Sequence, residues 1–447
     1  IEACVASQAM PEAKNSREPP TPLGPPPHPW RTTLTDELHA RPYAVVAAPA
    51  RLFHLALLTG EATADVERRR LGALCDELRI APPPHTASHF AARFPRFELT
   101  WERHTEFSTY TFMLPASEEA SFARPLRADL PSGWIDGLAG QTIAAVHVEV
   151  LEQAPPPPDP AALERMFAGA NIVGGLAAGG RTRLWTDFNL DTDGTVRLLM
   201  QDAGMSARQT GRMVQRLLEI HTYCMMALLA LPLAREIGPA VSRMERELSD
   251  IAQTLKAVAD PDDEQAQLKR LSTLAAEVES LAARTPYRFG AARAYHTLVV
   301  RRIEELREQR IEGQQTIGEF MDRRLAPAMR TCETLQRRLD SLSERVARAS
   351  EMLRTRVDVT LAAQNRDLLA SMDRRARLQL RLQRTVEGLS VAAITYYAVG
   401  LVSYLTQGLD AAGLRLPKEI VVAVAVPVLA AFAWLGLRRL HKKFDDR

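Results

Sequence analysis

The sequence has little cysteine, little net charge, and no charged residue in its two C-terminal apolar runs. Only four cysteines occur among 447 residues, and none forms a Cys-x-x-Cys pair, which argues against a disulfide framework and indicates a reducing compartment. The formal net charge is +2, so overall charge gives no reason to expect nucleic acid as a partner. Hydrophobic residues make up 46% and charged residues 25%, as in ordinary globular proteins.

Complete motifs for catalysis or ligand binding are also missing. The segment 189–200 begins like a calcium-binding loop, but its twelfth position is Met200, where the ion needs a bidentate glutamate. A hairpin turn is predicted there instead. The glycine-rich segment 169–182 has neither the Walker nor the dinucleotide-binding spacing, which favours a flexible loop or a tight strand crossing. We therefore predict no enzymatic activity and identify no cofactor.

Three short segments place histidine beside carboxylates. In ELHARPY (37–43), the charged residues are Glu37, His39 and Arg41. Such a group could supply a base or a ligand. No nucleophile or second ligand cluster accompanies it, so a capped helix end that docks on a sheet is the preferred interpretation.

The other two segments are expected on strands. Alternation predicts that Glu102, His104 and Glu106 share one strand face, and that His147 and Glu149 share another. If the two strands were neighbours, they could form a metal site. The competing interpretation is a pair of solvated faces with cross-strand pairing.

The fold class expected is α+β. The proline-rich residues 1–29 are predicted to be disordered, and strands interspersed with a helix indicate a cytosolic α/β domain over 30–203. Its predicted elements are a buried strand at 51–59, a helix at 63–79, a hairpin at 97–114, a strand at 141–152, and two strands around an Asp-Gly turn at 182–202.

Helical patterns replace strands after Ser206, and a helical domain is predicted over 204–326. The segment 206–237, with Ser206 as N-cap, is very apolar between Tyr223 and Ala234. That run is too short to span a bilayer and contains Pro232, so a core helix is predicted. Residues 239–259 and 262–284 are predicted to form an antiparallel helix pair.

A long stalk helix is predicted over 327–388, starting near Pro327. An apolar stripe interrupted by polar Gln364 recurs along it at steps of three and four residues. Its positions are Leu335, Leu339, Leu342, Val346, Ala349, Leu353, Val357, Leu361, Gln364, Leu368 and Met372.

Two segments, 389–409 and 420–437, have the length and composition of transmembrane helices. The intervening residues 410–419 would form a short external loop, and 438–447 a basic cytoplasmic tail. Basic residues flank the hairpin on its cytoplasmic side, where they should contact anionic lipid headgroups. This collar consists of Arg374, Arg375, Arg377, Arg381, Arg384, Arg438, Arg439, Lys442 and Lys443.

The first apolar segment has one polar face. Tyr396, Gly400, Ser403 and Gln407 are spaced by four, three and four residues, which places them on one side of a helix. Such a face either packs against another membrane helix or lines a water-filled pore in an oligomer. The absence of charge argues against a charged relay inside the membrane but not against a pore.

Several phrases together are distinctive: ELHARP, WERHTEFSTYTF, RRLAPAMRTCE and SMDRRARLQLRLQRTVEGLSVAAITYYAVGL. From about His28 to the C-terminus the chain resembles a bacterial family of membrane-anchored proteins catalogued as domain of unknown function 3422. That resemblance would lead us to expect an acidic residue where this chain has His221.

The order of the predicted parts is also similar to that of the CorA-type magnesium channels. Those are pentamers with a cytosolic α/β domain, a stalk helix continuous with the first membrane helix, and a pore lined by that helix. Their Gly-Met-Asn filter is missing here, where residues 406–410 read TQGLD. The resemblance implies a homo-oligomer, a pentamer if it follows those channels, and leaves magnesium selectivity unsupported.

Two functions are therefore expected from the sequence. One is a homo-oligomeric CorA-like ion channel or transporter of the bacterial inner membrane, with both termini cytoplasmic and lipid as its surroundings. The other is a membrane-anchored scaffold or sensor without transport activity. The ion, the ligand and any cytosolic partner stay open.

Overall fold

The computed structural model describes residues 28–32, 34–35, 43–116, 121–152, 156–168, 171–257, 261–411 and 417–445. The expected disorder of residues 1–27, and the charged residues of ELHARPY, lie outside these ranges. The strands are β1 Ala50–Leu58, β2 His89–Arg93, β3 Glu98–Arg103, β4 Phe107–Pro115, β5 Gln141–Leu151, β6 Val173–Ala177, β7 Thr182–Leu190, β8 Val196–Asp202 and β9 Gln309–Arg310.

Nine α-helices accompany the strands in the described residues, which gives the expected α+β class. They are α1 Ala64–Glu77, α2 Ser132–Asp136, α3 Pro160–Met166, α4 Ala207–Leu228, α5 Ala230–Ala257, α6 Pro261–Arg284, α7 Pro286–Leu306, α8 Ile317–Ala411 and α9 Lys418–Asp445. The predicted first helix, hairpin and Asp-Gly turn are confirmed. The sequence patterns did not predict β2, β6, β9, α2 and α3, because short elements carry little periodicity. The 21-residue helix α7 was also missed.

The nine strands form one mixed sheet in the order β2-β3-β4-β1-β5-β8-β7-β6-β9. All described strand pairings are antiparallel except that of β5 with β8. The strand β9 lies inside the segment 204–326, which had been expected to be helical only. Gly174 in β6 is required by crowding, because a Cβ there would clash with the Leu184 carbonyl of β7. This confirms the tight strand crossing at the glycine-rich segment.

The central strands bury side chains on both faces of the sheet. One face packs on α1 through a core that includes Leu71, Leu74, Trp101 and Tyr110. The other face packs on α4, where Met226 joins Ala56, Phe107 and Ala144. Burial on two faces explains why β1 and β5 read as nearly continuous apolar runs rather than as alternating strands.

Helix α4 begins as its sequence predicts and lies against the sheet. The Ser206 side chain accepts a hydrogen bond from the Gln209 backbone N–H, and the Gln209 side chain accepts one from the Ser206 N–H, which completes a capping box. The helix ends at Leu228, and Pro232 falls in the first turn of α5, where proline is tolerated. Over half of the apolar window of these helices is buried inside the protein, which supports a core helix.

Helix α8 starts ten residues earlier than predicted, at Ile317 rather than near Pro327. Thr316 and Glu319 form a capping box, with 3.1 Å hydrogen bonds in both directions. The Glu308 carboxylate also accepts hydrogen bonds from the N–H groups of Ile317 and Gly318 at 3.0 and 2.9 Å. These contacts satisfy the helix start, so Pro327 costs only one interior hydrogen bond.

The chain divides into two compact units. The sheet unit comprises Ile1–Glu247 and Ala276–Glu344, and the helical unit comprises Leu248–Ala275 and Arg345–Arg447. In the helical unit, Arg356 of α8 pairs with Glu264 of α6 at 2.5 Å and donates to the Leu255 carbonyl of α5 at 2.9 Å. One guanidinium therefore ties three helices together.

The apolar stripe of α8 is covered along its first part only. Leu335, Leu339 and Leu342 are buried in the sheet unit, and Val346 and Leu353 are buried in the helical unit. The stripe positions Leu361, Leu368 and Met372 are 51%, 61% and 59% exposed in the single chain. The stripe therefore continues onto a surface that no described residue of the same chain covers.

Candidate functional site

A small cavity of about 70 Å³ lies between α4 and the sheet. Strands β1, β3 and β4 form its floor, and α4 forms its roof. Its polar lining includes His54, Thr100, Glu102, His104, Thr109, Thr111, Gln215, Glu219 and Thr222. Part of the WERHTEF segment thus faces a small space between helix and sheet that apolar and polar side chains line together.

His54 contacts a hydroxyl group through each of its ring nitrogens. Its Nδ1 lies 2.8 Å from the Thr111 hydroxyl and its Nε2 lies 3.2 Å from the Thr222 hydroxyl. Burial, with smaller contributions from His221 and His104, lowers the pKa of His54 to about 3. The imidazole is therefore neutral at physiological pH, and each ring nitrogen has a hydroxyl partner.

His221 is buried nearby on α4. Burial lowers the pKa of its imidazole to about 4. The ring stacks on Phe188 at a centroid distance of 6.2 Å, and its Nδ1 is buried without a hydrogen-bond partner in the described structure. The environment thus accepts an aromatic ring at this position rather than a charge.

An ion-pair network joins α4 to α7 beside the cavity. Arg302 of α7 pairs with Glu219 and donates to Glu305 at 3.0 Å, and Arg216 donates to Glu305 at 3.1 Å. Arg301 also pairs with Glu305, at 3.3 Å, so Glu219 borders the cavity as part of a network in which every carboxylate has an arginine partner. The network fastens α4 to α7.

The expectation that Glu102, His104 and Glu106 share a strand face is wrong. Strand β3 ends at Arg103 and β4 begins at Phe107, so His104 and Glu106 lie in the turn. Glu102 and His104 both line the cavity, with 3.9 Å between the carboxylate and Nε2. Glu106 turns away to α7, where it binds Arg288 and Tyr295. Alternation fails because the chain reverses inside the motif.

His147 and Glu149 do share one face of β5, with 3.0 Å between Nε2 and Oε1. They do not meet Glu102 and His104. Strands β4 and β1 separate β3 from β5, and His147 pairs in register with Phe53, whereas His54 points to the opposite face. The hypothetical shared metal site is therefore not formed. No cluster of three His, Cys, Asp or Glu side chains suited to a metal occurs among the described residues.

The turn that resembled a calcium loop is a hairpin turn. Asp191 accepts hydrogen bonds from the N–H groups of Asp193 and Thr195 at 2.8 and 3.1 Å, and it pairs with Arg197 at 2.9 Å. Gly194 has a φ of 74°, the left-handed conformation that this turn requires. The Asp191 carboxylate is thus committed to the turn itself.

The C-terminal apolar segments lie on α8 and α9. Both helices contain an 18-residue window apolar enough to cross a membrane, and both windows are unburied within the chain. Helix α8 runs without interruption from Ile317 to Ala411, so the predicted stalk and first span belong to one helix. The two segments are identified as candidate membrane spans by their length and composition alone.

The residues of the predicted polar face stand on that helix with little covering them. Tyr396 is 77% exposed, and a Cβ at Gly400 would meet no atom within 4 Å. Ser403 is half-buried and Gln407 exposed. Helical geometry places all four on one side of α8, as predicted.

The arginines before the first span are exposed, and Arg377 forms an ion pair with Asp373 at 2.6 Å. They are Arg374, Arg375, Arg377, Arg381 and Arg384. The second half of the predicted collar lies on α9, which continues to Asp445. The side chains of Arg438, Arg439, Lys442 and Lys443 lie outside the described part of the structure.

These features define an α+β protein with a nine-stranded mixed sheet, long helices, and C-terminal helices that are candidates for membrane spans. The chain belongs to the family described as "Protein of unknown function (DUF3422)", whose model matches residues 26–444. This confirms the family resemblance of the sequence. No curated protein matches the chain.

Proposed function

We propose that this protein is an integral protein of the bacterial inner membrane, inserted by residues 389–409 and 420–437 with both termini in the cytoplasm. The apolar windows of α8 and α9 are not buried within the chain. Exposing this apolar surface to water would cost a large amount of free energy. Basic residues before the first span and after the second support the orientation.

Topology is tested by labelling with a membrane-impermeant maleimide. Asp410→Cys, in the predicted external loop, should react in intact spheroplasts. Asp445→Cys, at the end of α9, should react only after lysis. Both variants also carry Cys4→Ser, and the three described cysteines, Cys75, Cys224 and Cys332, are buried, which keeps the background low. Labelling of Asp445→Cys from outside would contradict the orientation.

Within the membrane we propose a homo-oligomer, such as a pentamer, in which α8 surrounds a central ion pathway. The observation that carries this proposal is the uncharged polar face of α8 at Tyr396, Gly400, Ser403 and Gln407. Two helices of one chain cannot enclose a pore, so conduction requires a ring of copies. The exposed continuation of the apolar stripe at Leu361, Leu368 and Met372 offers a surface for contacts between copies.

Two measurements test the channel. Native mass spectrometry should give a ring of several copies, and a monomer or dimer would contradict the proposal. Ion flux into liposomes should be present for the wild type and abolished by Gly400→Leu, which fills the polar face. The matched control, Ala398→Leu, adds bulk on the opposite side of the same helix and should conserve flux.

A membrane-anchored sensor is the second candidate, favoured by the polar cavity between α4 and the sheet. In that role the sheet unit would bind a ligand, and α8 and α9 would serve as an anchor. The same liposome experiment separates the two functions. A correctly assembled wild type that passes no ion supports the sensor, and flux that Gly400→Leu abolishes argues against a mere anchor.

A further inference from the structure

A second cavity lies on the sheet face opposite α4. Its volume is about 550 Å³, within the range of about 300–1,000 Å³ that small-molecule sites occupy. Apolar side chains and a few polar groups line it together. The residues used below are Phe53, Leu55, Leu126, Ala145, His147 and Asp193.

His147 is buried in the sheet at the edge of this cavity, and only 4% of the residue is exposed. Its Nε2 is 3.0 Å from the Glu149 carboxylate. The cavity extends along β5 from His147 toward Thr142, away from Glu149. The ring edge that carries Nδ1 therefore faces the cavity. No residue in the described part of the chain forms a hydrogen bond with that nitrogen.

Phe122 fixes the orientation of the imidazole. Its ring meets the His147 ring edge-on at a centroid distance of 4.8 Å, and the Arg197 guanidinium lies 5.7 Å from the Phe122 centroid. Phe122 has a φ of 61°, a left-handed conformation that is unusual for a bulky residue. Backbone strain of this kind is concentrated at functional sites, and here it places an aromatic ring against a histidine.

The arginines around the cavity are engaged in ion pairs. Arg127 forms an ion pair with Asp136, and Arg197 forms one with Asp191. Arg51, the cross-strand neighbour of Glu149, binds Asp129 together with Arg124. Among the described residues, the side chain of Asp193 at the rim forms no ion pair. A ligand thus meets one unpaired carboxylate and the open Nδ1 acceptor of His147.

We propose that this cavity binds a small amine with an apolar body. The ammonium group donates a hydrogen bond to His147 Nδ1, Glu149 holds the Nε2–H tautomer that leaves Nδ1 as acceptor, and Asp193 balances the charge of the ligand. The apolar body lies against Phe53, Leu55 and Leu126. This inference does not depend on whether α8 conducts ions, because it concerns the sheet unit alone.

The test is calorimetric titration of the full-length protein in nanodiscs with three probes of one shape: cyclohexylamine, cyclohexanol and cyclohexanecarboxylate. Titration of empty nanodiscs is subtracted. The amine should bind at least about tenfold more tightly than the alcohol or the acid. Asp193→Asn should weaken amine binding by about tenfold, because it removes the rim charge. Asp358→Asn, an exposed carboxylate of the helical unit, should leave binding unchanged.

His147→Leu removes the acceptor and should also abolish amine binding. Because this variant leaves Glu149 buried without its partner and can fail to fold, Ala145→Leu provides a second route. It fills the cavity and should abolish amine binding while the melting temperature is retained. Tighter binding of the carboxylate, no heat from the amine at ~10 mM, or unchanged affinity in Asp193→Asn would overturn the proposal.

Discussion

Glu106 and Arg288 form a two-pronged ion pair that joins the turn between β3 and β4 to helix α7. The two guanidinium nitrogens lie 2.8 and 3.1 Å from the two carboxylate oxygens. The Tyr295 hydroxyl donates a third hydrogen bond to Glu106 at 3.0 Å. Sequence alternation would assign Glu106 to a strand face. In the structure it instead binds helix α7, almost two hundred residues later in the chain.

We expect Arg288→Ala to lower the free energy of unfolding by about 2–4 kcal/mol, because it leaves a largely buried carboxylate without its charge partner. Arg93→Ala provides the control. Its partner is Glu98 on the surface, and the Arg93 side chain is 74% exposed, so the loss should stay below about 1 kcal/mol. Thermal unfolding in detergent, followed by tryptophan fluorescence, measures both. Equal losses would show that burial does not strengthen the Glu106 pair.

The buried carboxylate of Glu67 should also contribute strongly to the stability of the sheet unit. It accepts hydrogen bonds from Trp101 at 3.0 Å and Thr63 at 2.8 Å, and it pairs with Arg103 at 2.5 Å. Burial and this neighbouring carboxylate raise the pKa of Tyr110 above its usual range. Glu67→Leu should lower the free energy of unfolding by about 3–5 kcal/mol, because it leaves the mostly buried Arg103 guanidinium without its ion-pair partner.

The double variant Glu67→Leu/Arg103→Leu tests the reason for that cost. Removing both charges should recover part of the lost stability, because an apolar pair leaves no uncompensated ion. If the double variant has no higher free energy of unfolding than Glu67→Leu alone, the explanation is contradicted. Chemical denaturation of the full-length protein gives the comparison.

Two glycines in neighbouring helices should respond in opposite ways to alanine. A Cβ on Gly211 of α4 would clash with the Ala44 carbonyl, beside which Val46 donates a hydrogen bond to Ala207 at 3.0 Å. Gly211→Ala should therefore lower the melting temperature. A Cβ on Gly290 of α7 meets nothing within 4 Å, and Gly290→Ala should stabilise by about 0.5–1 kcal/mol. Stabilisation by both would exclude the close approach of α4 to residues 44–46.

The stability of the sheet unit should fall as the pH drops below about 6.5, the ordinary histidine pKa. His54 and His221 have folded-state pKa values of about 3 and about 4. The unfolded chain therefore takes up protons that the folded chain refuses between these values and 6.5. Each histidine contributes a loss of up to ~1.4 kcal/mol per pH unit in that window.

His221→Phe isolates one of these contributions. Because the Nδ1 of His221 has no hydrogen-bond partner, phenylalanine should preserve stability at pH 7 and reduce the slope of stability against pH between 6.5 and 4. His54→Phe should destabilise at pH 7, since it leaves Thr111 and Thr222 without their partner. Melting curves at several pH values measure both. An unchanged slope in His221→Phe would show that its pKa is not lowered.

Local patterns accounted for much of the fold. The apolar run of β1, the Asp-Gly turn at Gly194 and the cap at Ser206 depend on neighbours within a few residues, so the sequence could predict them. The start of α8 was missed although its signal was present. The TIGE sequence at Thr316 forms a capping box. The prediction instead started the helix near Pro327, because proline is common in the first turn of a helix.

Sequence by itself determined the α+β class, the apolar helices at the C-terminus and the polar face around Gly400, because these follow from composition and periodicity. The family was identified from the resemblance of particular phrases, and the family model over residues 26–444 confirms it. Only the tertiary structure decided which histidines share a site. The pairing register of β1 and β5 places His54 and His147 on opposite faces of one sheet, and the turn at residues 104–106 directs Glu106 to α7. Strand order and long-range ion pairs arise from contacts between residues far apart in sequence, which leave no periodic signal in the chain.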